Sequence, residues 1–287
     1  MTRLFGTLAF LSSLVASILL IFVEIGNTDV DQSLSKKVRL VTISTFGLGT
    51  AIWSELSGSE RRNFRNSDVY GSPNQELNER TLGDGLRYYY TWGLWSQCAG
   101  YVSPSHPQYC TSTRFAKPLE PTNVLLEDVP SRYSRILAAL LAPGTSGLRS
   151  DKYYSDWSKF ATYSLFASLV HMIILLPLSA FLATGRAPML VALVALGMNM
   201  PVVMAAWISA AVYTAMVSNL KHKLNGQTLL TANNNRLGLE VEIGNGLGIW
   251  WAMNVILLLG VVPYFLAFLS TRQRTQVSKL KSSKTSK

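Results

Sequence analysis

Four stretches of this chain lack Lys, Arg, Asp and Glu over lengths that match the hydrocarbon core of a bilayer, and no other feature constrains the fold as strongly. Residues 4–23 are an uncharged run of 20 residues, which as a helix rising about 1.5 Å per residue reaches about 30 Å. Residues 160–183, 189–217 and 247–269 are three further runs of spanning length. In lipid each must satisfy its own backbone, so each is expected to be a helix. The expected plan is a membrane protein built on a four-helix transmembrane bundle. Its first helix, with a short cytoplasmic N-terminus, covers 1–24, and a large loop covers 25–159. A second helix covers 160–184, a tight turn 185–188 and a third helix 189–218. A second loop at 219–246, a fourth helix at 247–269 and a basic tail at 270–287 complete the chain. Arg3 ahead of the first run also suits a cleaved signal peptide. The length of the run, and the lack of a small-residue cleavage site in Phe22-Val23-Glu24-Ile25, favour an anchor.

The charge distribution orients these helices. The net charge of +10 would raise the question of nucleic acid in a soluble protein. Residues 24–156, however, hold 14 basic and 14 acidic side chains, so the excess lies elsewhere, at or between the apolar runs. No nucleic-acid partner is therefore expected. Arg3, Arg186 and the tail fall on one side of the plan. The tail carries Arg272, Arg274, Lys279, Lys281, Lys284 and Lys287 with no acid. By the bias of basic residues toward the cytoplasm, both termini are expected there and both large loops outside. The six tail cations are expected to draw anionic lipids, at about 1 kcal/mol each when close to the surface. The interleaved serines and threonines offer phosphorylation sites that would weaken this tether.

Within the spans, Ala9, Ser13 and Ser17 recur every fourth residue beside Ser12 and Ala16. Such a stripe suits close helix packing in a bundle and also suits a dimer face. His171, Asn199 and Asn254 lie nearest the span centres. His171 is expected to make an interhelical hydrogen bond, since a lone histidine with no carboxylate in any span is a poor proton relay. Pro177, Pro201 and Pro263 are expected to kink three spans, freeing carbonyls for the asparagines.

In the large loop, residues 37–46 are rich in β-branched side chains and bounded by Gly47 and Gly49, which predicts a strand. Residues 58–79 read as an exposed excursion. Residues 88–101 contain Tyr88, Tyr89, Tyr90, Trp92, Trp95 and Tyr101, and predict a second strand with Gly93 at its middle. Cys98 and Cys110 enclose eleven residues that include Pro104 and Pro107, a natural turn between antiparallel strands. Two cysteines allow one bridge, worth about 3 kcal/mol if formed. Residues 130–141 resemble an amphipathic helix ending at Pro143-Gly144, suited either to the outer leaflet or to covering the sheet. In the second loop Arg236, Gly238, Glu240 and Glu242 alternate with Leu237, Leu239, Val241 and Ile243, a period-two strand over 236–243. Two carboxylates there are too few for a calcium site without help.

Trp92, Gly93-Leu94-Trp95, Cys98 and Cys110, in the first outer loop of a four-span chain, resemble the claudin-type signature. The long loop, the aromatic cluster and the lysine-rich tail are most similar to the fungal SUR7/PalI group of that superfamily. The resemblance implies an extracellular antiparallel β-sheet on the bundle, stapled by Cys98–Cys110, with the second loop adding a strand. Trp92, Gly93, Leu94 and Trp95 are then structural residues of that sheet.

Catalytic chemistry is mostly missing. His106, His171 and His222 are scattered, and no HExxH, Walker or paired Cys-x-x-Cys pattern occurs. Gly244-Asn245-Gly246-Leu247-Gly248 opens a span rather than following a strand of a βαβ unit, and reads as close packing. No enzyme activity, cofactor or metal is expected. The resemblance implies a plasma-membrane tetraspan that organises eisosome-like furrow domains in a fungal membrane, partnered by anionic lipids, by itself, or by membrane proteins such as transporters and pumps. The alternatives are a PalI-like component of ambient-pH signalling and an auxiliary subunit of a transporter or channel.

Overall fold

The computed structural model describes residues 2–28, 37–71, 83–142, 149–225 and 237–285, with side chains in the last helix described as far as Val277. The elements are α1 (Thr2–Glu24), β1 (Val41–Ser44), α2 (Leu48–Glu55), α3 (Gly58–Asn63), β2 (Tyr89–Trp92), β3 (Gln97–Gly100) and β4 (Tyr109–Cys110), followed by α4 (Pro121–Asp128), α5 (Ser131–Leu141), α6 (Asp151–Ala183), α7 (Met189–Asn225), β5 (Glu240–Ile243) and α8 (Asn245–Thr285). Helices α1, α6, α7 and α8 are long and apolar enough to cross a membrane. The chain divides into a helical unit, Met1–Phe22 with Tyr163–Ala211 and Gly248–Lys287, and a sheet unit, Val23–Thr162 with Val212–Leu247.

In the helical unit the small stripe of α1 is buried: Ala9, Ser13, Ala16 and Ser17 all face protein. Ser13 Oγ and Tyr264 Oη of α8 share a hydrogen bond of 2.6 Å. Bundle packing thus occupies the stripe that also suited a dimer face. Asn254 is fully buried. Its Nδ2 donates to Ala206 O at 3.3 Å, and Trp207 Nε1 donates to Asn254 O at 3.3 Å. The amide therefore joins α8 to α7 but does not serve the carbonyl freed four residues before a proline, as expected from the kinks. His171 also departs from expectation. Its Nδ1 bonds Ala167 O of its own helix at 2.7 Å, and the residue is exposed on α6. A span that is apolar on every side gives no sequence signal for which face turns inward, so the interhelical expectation fails here.

The sheet unit is built on five antiparallel strands in the order β4-β3-β2-β1-β5. Val41, Thr42 and Ile43 are all buried, so β1 is covered on both faces. Its strand is shorter than 37–46 because the chain turns into α2 just after Phe46. The second outer loop does add a strand, β5, paired with β1 from Val41↔Ile243 to Ser44↔Glu240. Its predicted start at 236 is cut back: Gly238 takes φ +70 and its carbonyl accepts from Gly47 N at 3.0 Å, a turn conformation that interrupts a ladder. Arg236 lies outside the described residues. The outer edge of β5 is covered by the Asn225 side chain, whose Oδ1 accepts from Val241 N at 2.7 Å while Nδ2 donates to Val241 O at 2.9 Å. An edge strand occupied in this way is closed to pairing with another chain. Ile243, expected on the apolar face, is exposed, and Glu240 and Glu242 are exposed with it.

Of the two readings of residues 130–141, the sheet-covering one fits. Helix α5 buries Tyr133, Leu137, Leu140 and Leu141, a spacing that lines one helical face. Leu141 meets Ile43 of β1, Leu125 of α4 and Leu239 around one small apolar cavity. Arg132 and Arg135 point outward. Pro143 and Gly144 lie outside the described residues, as does most of the exposed excursion beyond Gly71.

Candidate functional site

The motif residues meet at one hairpin. Strands β2 and β3 pair from Tyr89↔Gly100 to Trp92↔Gln97, and Gly93 N donates to Ser96 O at 3.0 Å to close the turn. Gly93 is therefore the first residue of a turn, not the middle of a single strand. The aromatic run hides this from the sequence, because its β propensity continues on both sides of the turn. A glycine is required there: a Cβ at Gly93 would strike the Gly26 carbonyl. Leu94 is buried, and its carbonyl accepts from Lys117 N at 2.9 Å; the Trp95 carbonyl accepts from Arg114 N at 2.8 Å. Cys98 and Cys110 sit opposite one another on β3 and β4 and form a disulfide, with Cα atoms 4.0 Å apart.

Two residues outside the motif hold this hairpin, and sequence reasoning missed both. Asn27 follows α1 in the left-handed region, φ 61, fully buried. Its Nδ2 donates to Thr91 O at 3.0 Å, its Oδ1 accepts from Thr91 Oγ1 at 3.1 Å, and its carbonyl accepts from Ser96 Oγ. Asparagine is among the few residues that visit this conformation readily, and the Gly26-Asn27 pair was the available signal. Glu24, buried at the end of α1, accepts from Trp95 Nε1 at 2.7 Å. Trp95 also packs edge-on against Phe115 at 5.8 Å. The motif tryptophan is thus tied to the chain emerging from the first span. Trp92 is 1% exposed and stacks obliquely near Tyr90 at 6.3 Å.

A buried polar group adjoins this hairpin. Tyr90 Oη donates to Asp128 Oδ2 at 2.8 Å and accepts from Arg87 N at 3.0 Å. Arg87 is 4% exposed and lies over the Tyr101 ring at 5.2 Å. Burial pushes the Tyr101 hydroxyl up to about 12, against the opposing pull of Arg87. Burial likewise pushes Tyr70, which donates to Thr45 O at 2.5 Å, up to about 12. Burial also raises Tyr90, and the Asp128 charge adds to the effect. All three tyrosines therefore stay neutral at ordinary pH, and Tyr70 and Tyr90 stay hydrogen-bond donors.

The tail residues belong to the helical unit. Helix α8 continues through the tail to Thr285, and Arg272 and Arg274 are exposed on it. The side chains of Lys279, Lys281 and Lys284 lie outside the described residues, as does Lys287. Among the described residues no group of three or more His, Cys, Asp or Glu side chains could hold a metal ion.

Four spanning helices, a five-stranded antiparallel sheet and one disulfide at a Gly-Leu-Trp hairpin define a multi-pass membrane protein of claudin-like plan. The profile of the SUR7/PalI family matches residues 5–262, nearly the whole chain, and the protein belongs to that family. No curated protein and no solved structure matches the chain.

Proposed function

We propose that this protein is a non-enzymatic organiser of plasma-membrane domains, of the furrow-like eisosome kind, in a fungal cell. It acts through lateral contacts of its helices and through lipid contacts of its basic tail. Both termini lie in the cytoplasm and the stapled sheet faces outward. In this reading Trp92, Gly93, Leu94, Trp95 and the Cys98–Cys110 bridge keep the sheet rigid, and the tail from Arg272 to Lys287 favours anionic lipids.

The observation that carries the lateral contact is His171. The ring sits near the middle of a span, is exposed, and spends Nδ1 on its own helix, which leaves Nε2 for another partner. A polar ring facing hydrocarbon is costly, and such residues in membrane proteins usually face another protein surface. Ile173 and Ile174 beside it are also exposed, at 61% and 49%, so a partner helix there would meet an apolar surface with one polar contact.

The test replaces His171 with Leu in the full chain and follows lateral distribution in living cells together with the proteins recovered in native nanodiscs. An organiser loses its stable patches and its self-association while the monomer still folds. Unchanged patches and unchanged neighbours would overturn the role given to this face. The auxiliary-subunit alternative rests on the same contact and predicts a different recovery: a fixed ratio to one transporter or channel, lost in the variant.

A further inference from the structure

The three segments of the helical unit, residues 1–22, 163–211 and 248–287, contain no Asp or Glu. Yet arginines from all three meet at one turn. Helix α6 ends at Ala183, and Gly185 follows with φ +70, the left-handed conformation that commonly closes a helix. A Cβ at Gly185 would strike the side-chain stem of Arg3, so that arginine packs directly against the turn. Arg274 of α8 donates from Nη1 to Gly185 O at 2.6 Å. Arg186 is the next residue, its backbone N held by Thr184 Oγ1 at 3.2 Å. All three arginine side chains are exposed.

The bias of basic residues toward one side of the membrane explains cations near span ends in general. It does not explain why Arg3 and Arg274 both reach the glycine that immediately precedes Arg186. Arg274 uses one of five guanidinium N–H donors on the turn carbonyl and keeps the rest. Three like charges with no carboxylate anywhere in their unit favour an anion from outside. The turn joins the apolar ends of α6 and α7, where lipid headgroups lie. A terminal phosphate offers three oxygens and up to two charges, and so can accept forked bonds from more than one arginine. A phosphodiester linked to a further headgroup has fewer free oxygens.

We propose that Arg3, Arg186 and Arg274 form a binding site, built around Gly185, for a lipid whose headgroup is a phosphomonoester. The inference deepens the lipid contact of the proposed function and moves its specific part from the distal lysines to this turn. Arg272 stands two residues before Arg274, about 200° away around the helix, and serves as a charge-matched control.

The experiment uses the full-length protein in nanodiscs of phosphatidylcholine doped with phosphatidic acid or with phosphatidylserine, and reads retained lipid by native mass spectrometry and the melting temperature. Phosphatidic acid is expected to be retained preferentially and to raise the melting temperature. Arg3→Gln, Arg186→Gln and Arg274→Gln are each expected to weaken that retention about fivefold and to erase the preference for phosphatidic acid, whereas Arg272→Gln and Lys279→Gln, in the diffuse tail, lower retention of both anionic lipids alike and leave the preference intact. Melting without added anionic lipid checks that each variant is folded, and Arg274→Lys, which keeps the charge and loses the fork, should fall between. Equal retention of the two lipids with equal losses for all five neutralisations would overturn the site and leave a diffuse tether standing. No preference for either anionic lipid over phosphatidylcholine would overturn the tether as well. If glycerol 3-phosphate alone gave the same stabilisation with the same dependence on the three arginines, the lipid assignment would be overturned.

Discussion

The two units of this protein are held by different kinds of bond. In the helical unit most side-chain hydrogen bonds are local: Thr7 to Arg3 O, Ser17 to Ser13 O, Ser168 to Ser164 O and Thr271 to Ala267 O each reach back four residues. In the sheet unit many are distant in sequence: Trp95 to Glu24, Thr91 to Asn27, and Val241 to Asn225. Hydrocarbon contributes no hydrophobic drive between helices, so a membrane bundle depends on close packing of small residues while most of its serines satisfy themselves nearby. A watery loop region must create its own interior, and here it does so with a disulfide and a few long-range polar clamps. Single substitutions should therefore cost much in the sheet unit and little in the bundle.

The largest effect is expected from the bridge. Cys98→Ser with Cys110→Ser reopens a loop of eleven residues and should cost the sheet unit about 3 kcal/mol. Near-ultraviolet circular dichroism should show the aromatic signal of this unit melting earlier, while the far-ultraviolet helical signal of the spans stays. A common loss of both signals would break the contrast. The next effect is at Asn27. Asn27→Ala removes the paired bonds to Thr91 and places at φ 61 a residue that tolerates the left-handed region less well than asparagine, at a cost of about 2–3 kcal/mol. Asn27→Gly loses the same bonds without the backbone strain and should recover about 1 kcal/mol of that in denaturant melts. Equal losses in the two variants would remove the backbone part of the argument.

These clamps also mark where the sequence stopped being legible. The four spans were readable because bilayer thickness fixes their length, and the antiparallel sheet with β5 was readable from period-two alternation and from the family resemblance. The turn at Gly93 was not, because tyrosine and tryptophan favour strand on both sides of it and only the approach of Gly26 makes the glycine necessary. Asn27 looked like a loop residue and Glu24 like the end of a span, because their partners lie 64 and 71 positions away. His171 was assigned inward because an all-apolar span has no periodic signal to fix its rotation. The arginines at Gly185 were read as a tail and a topology signal, and only the fold brings Arg3 and Arg274 to one turn.

A change of pH separates the two units at intermediate strength. Tyr70 and Tyr101 are raised from 10.0 to about 12 by burial in the sheet unit. Below pH 10 they are neutral in both folded and unfolded chains, so stability does not depend on them. Between pH 10 and 12 the unfolded chain loses these protons while the folded chain keeps them, so the unfolded state gains and stability falls. The sheet unit should lose about 1–2 kcal/mol across that window, read as tyrosinate absorbance appearing together with loss of the aromatic dichroism. Tyrosinate appearing near pH 10 with the sheet intact would mean that these hydroxyls are not held in the buried state described.

The smallest expected effect tests the other side of the contrast. Tyr264→Phe deletes a long-range hydroxyl contact between α1 and α8, leaving Ser13 Oγ without its 2.6 Å partner. In water-soluble cores a buried hydroxyl left unpaired costs about 1–3 kcal/mol. In the bundle Ser13 can turn to a carbonyl of its own helix, as Ser12 and Ser17 already do with Ala9 O at 2.9 Å and Ser13 O at 2.8 Å. The ring volume that fills the space beside α1 is kept. The cost should therefore stay near about 0.6 kcal/mol, the typical value for an interhelical hydrogen bond in lipid, and steric-trap unfolding in bicelles can resolve it. A loss of 2 kcal/mol or more would mean that the bundle also depends on specific long-range polar bonds, and the division of labour between the units would have to be redrawn.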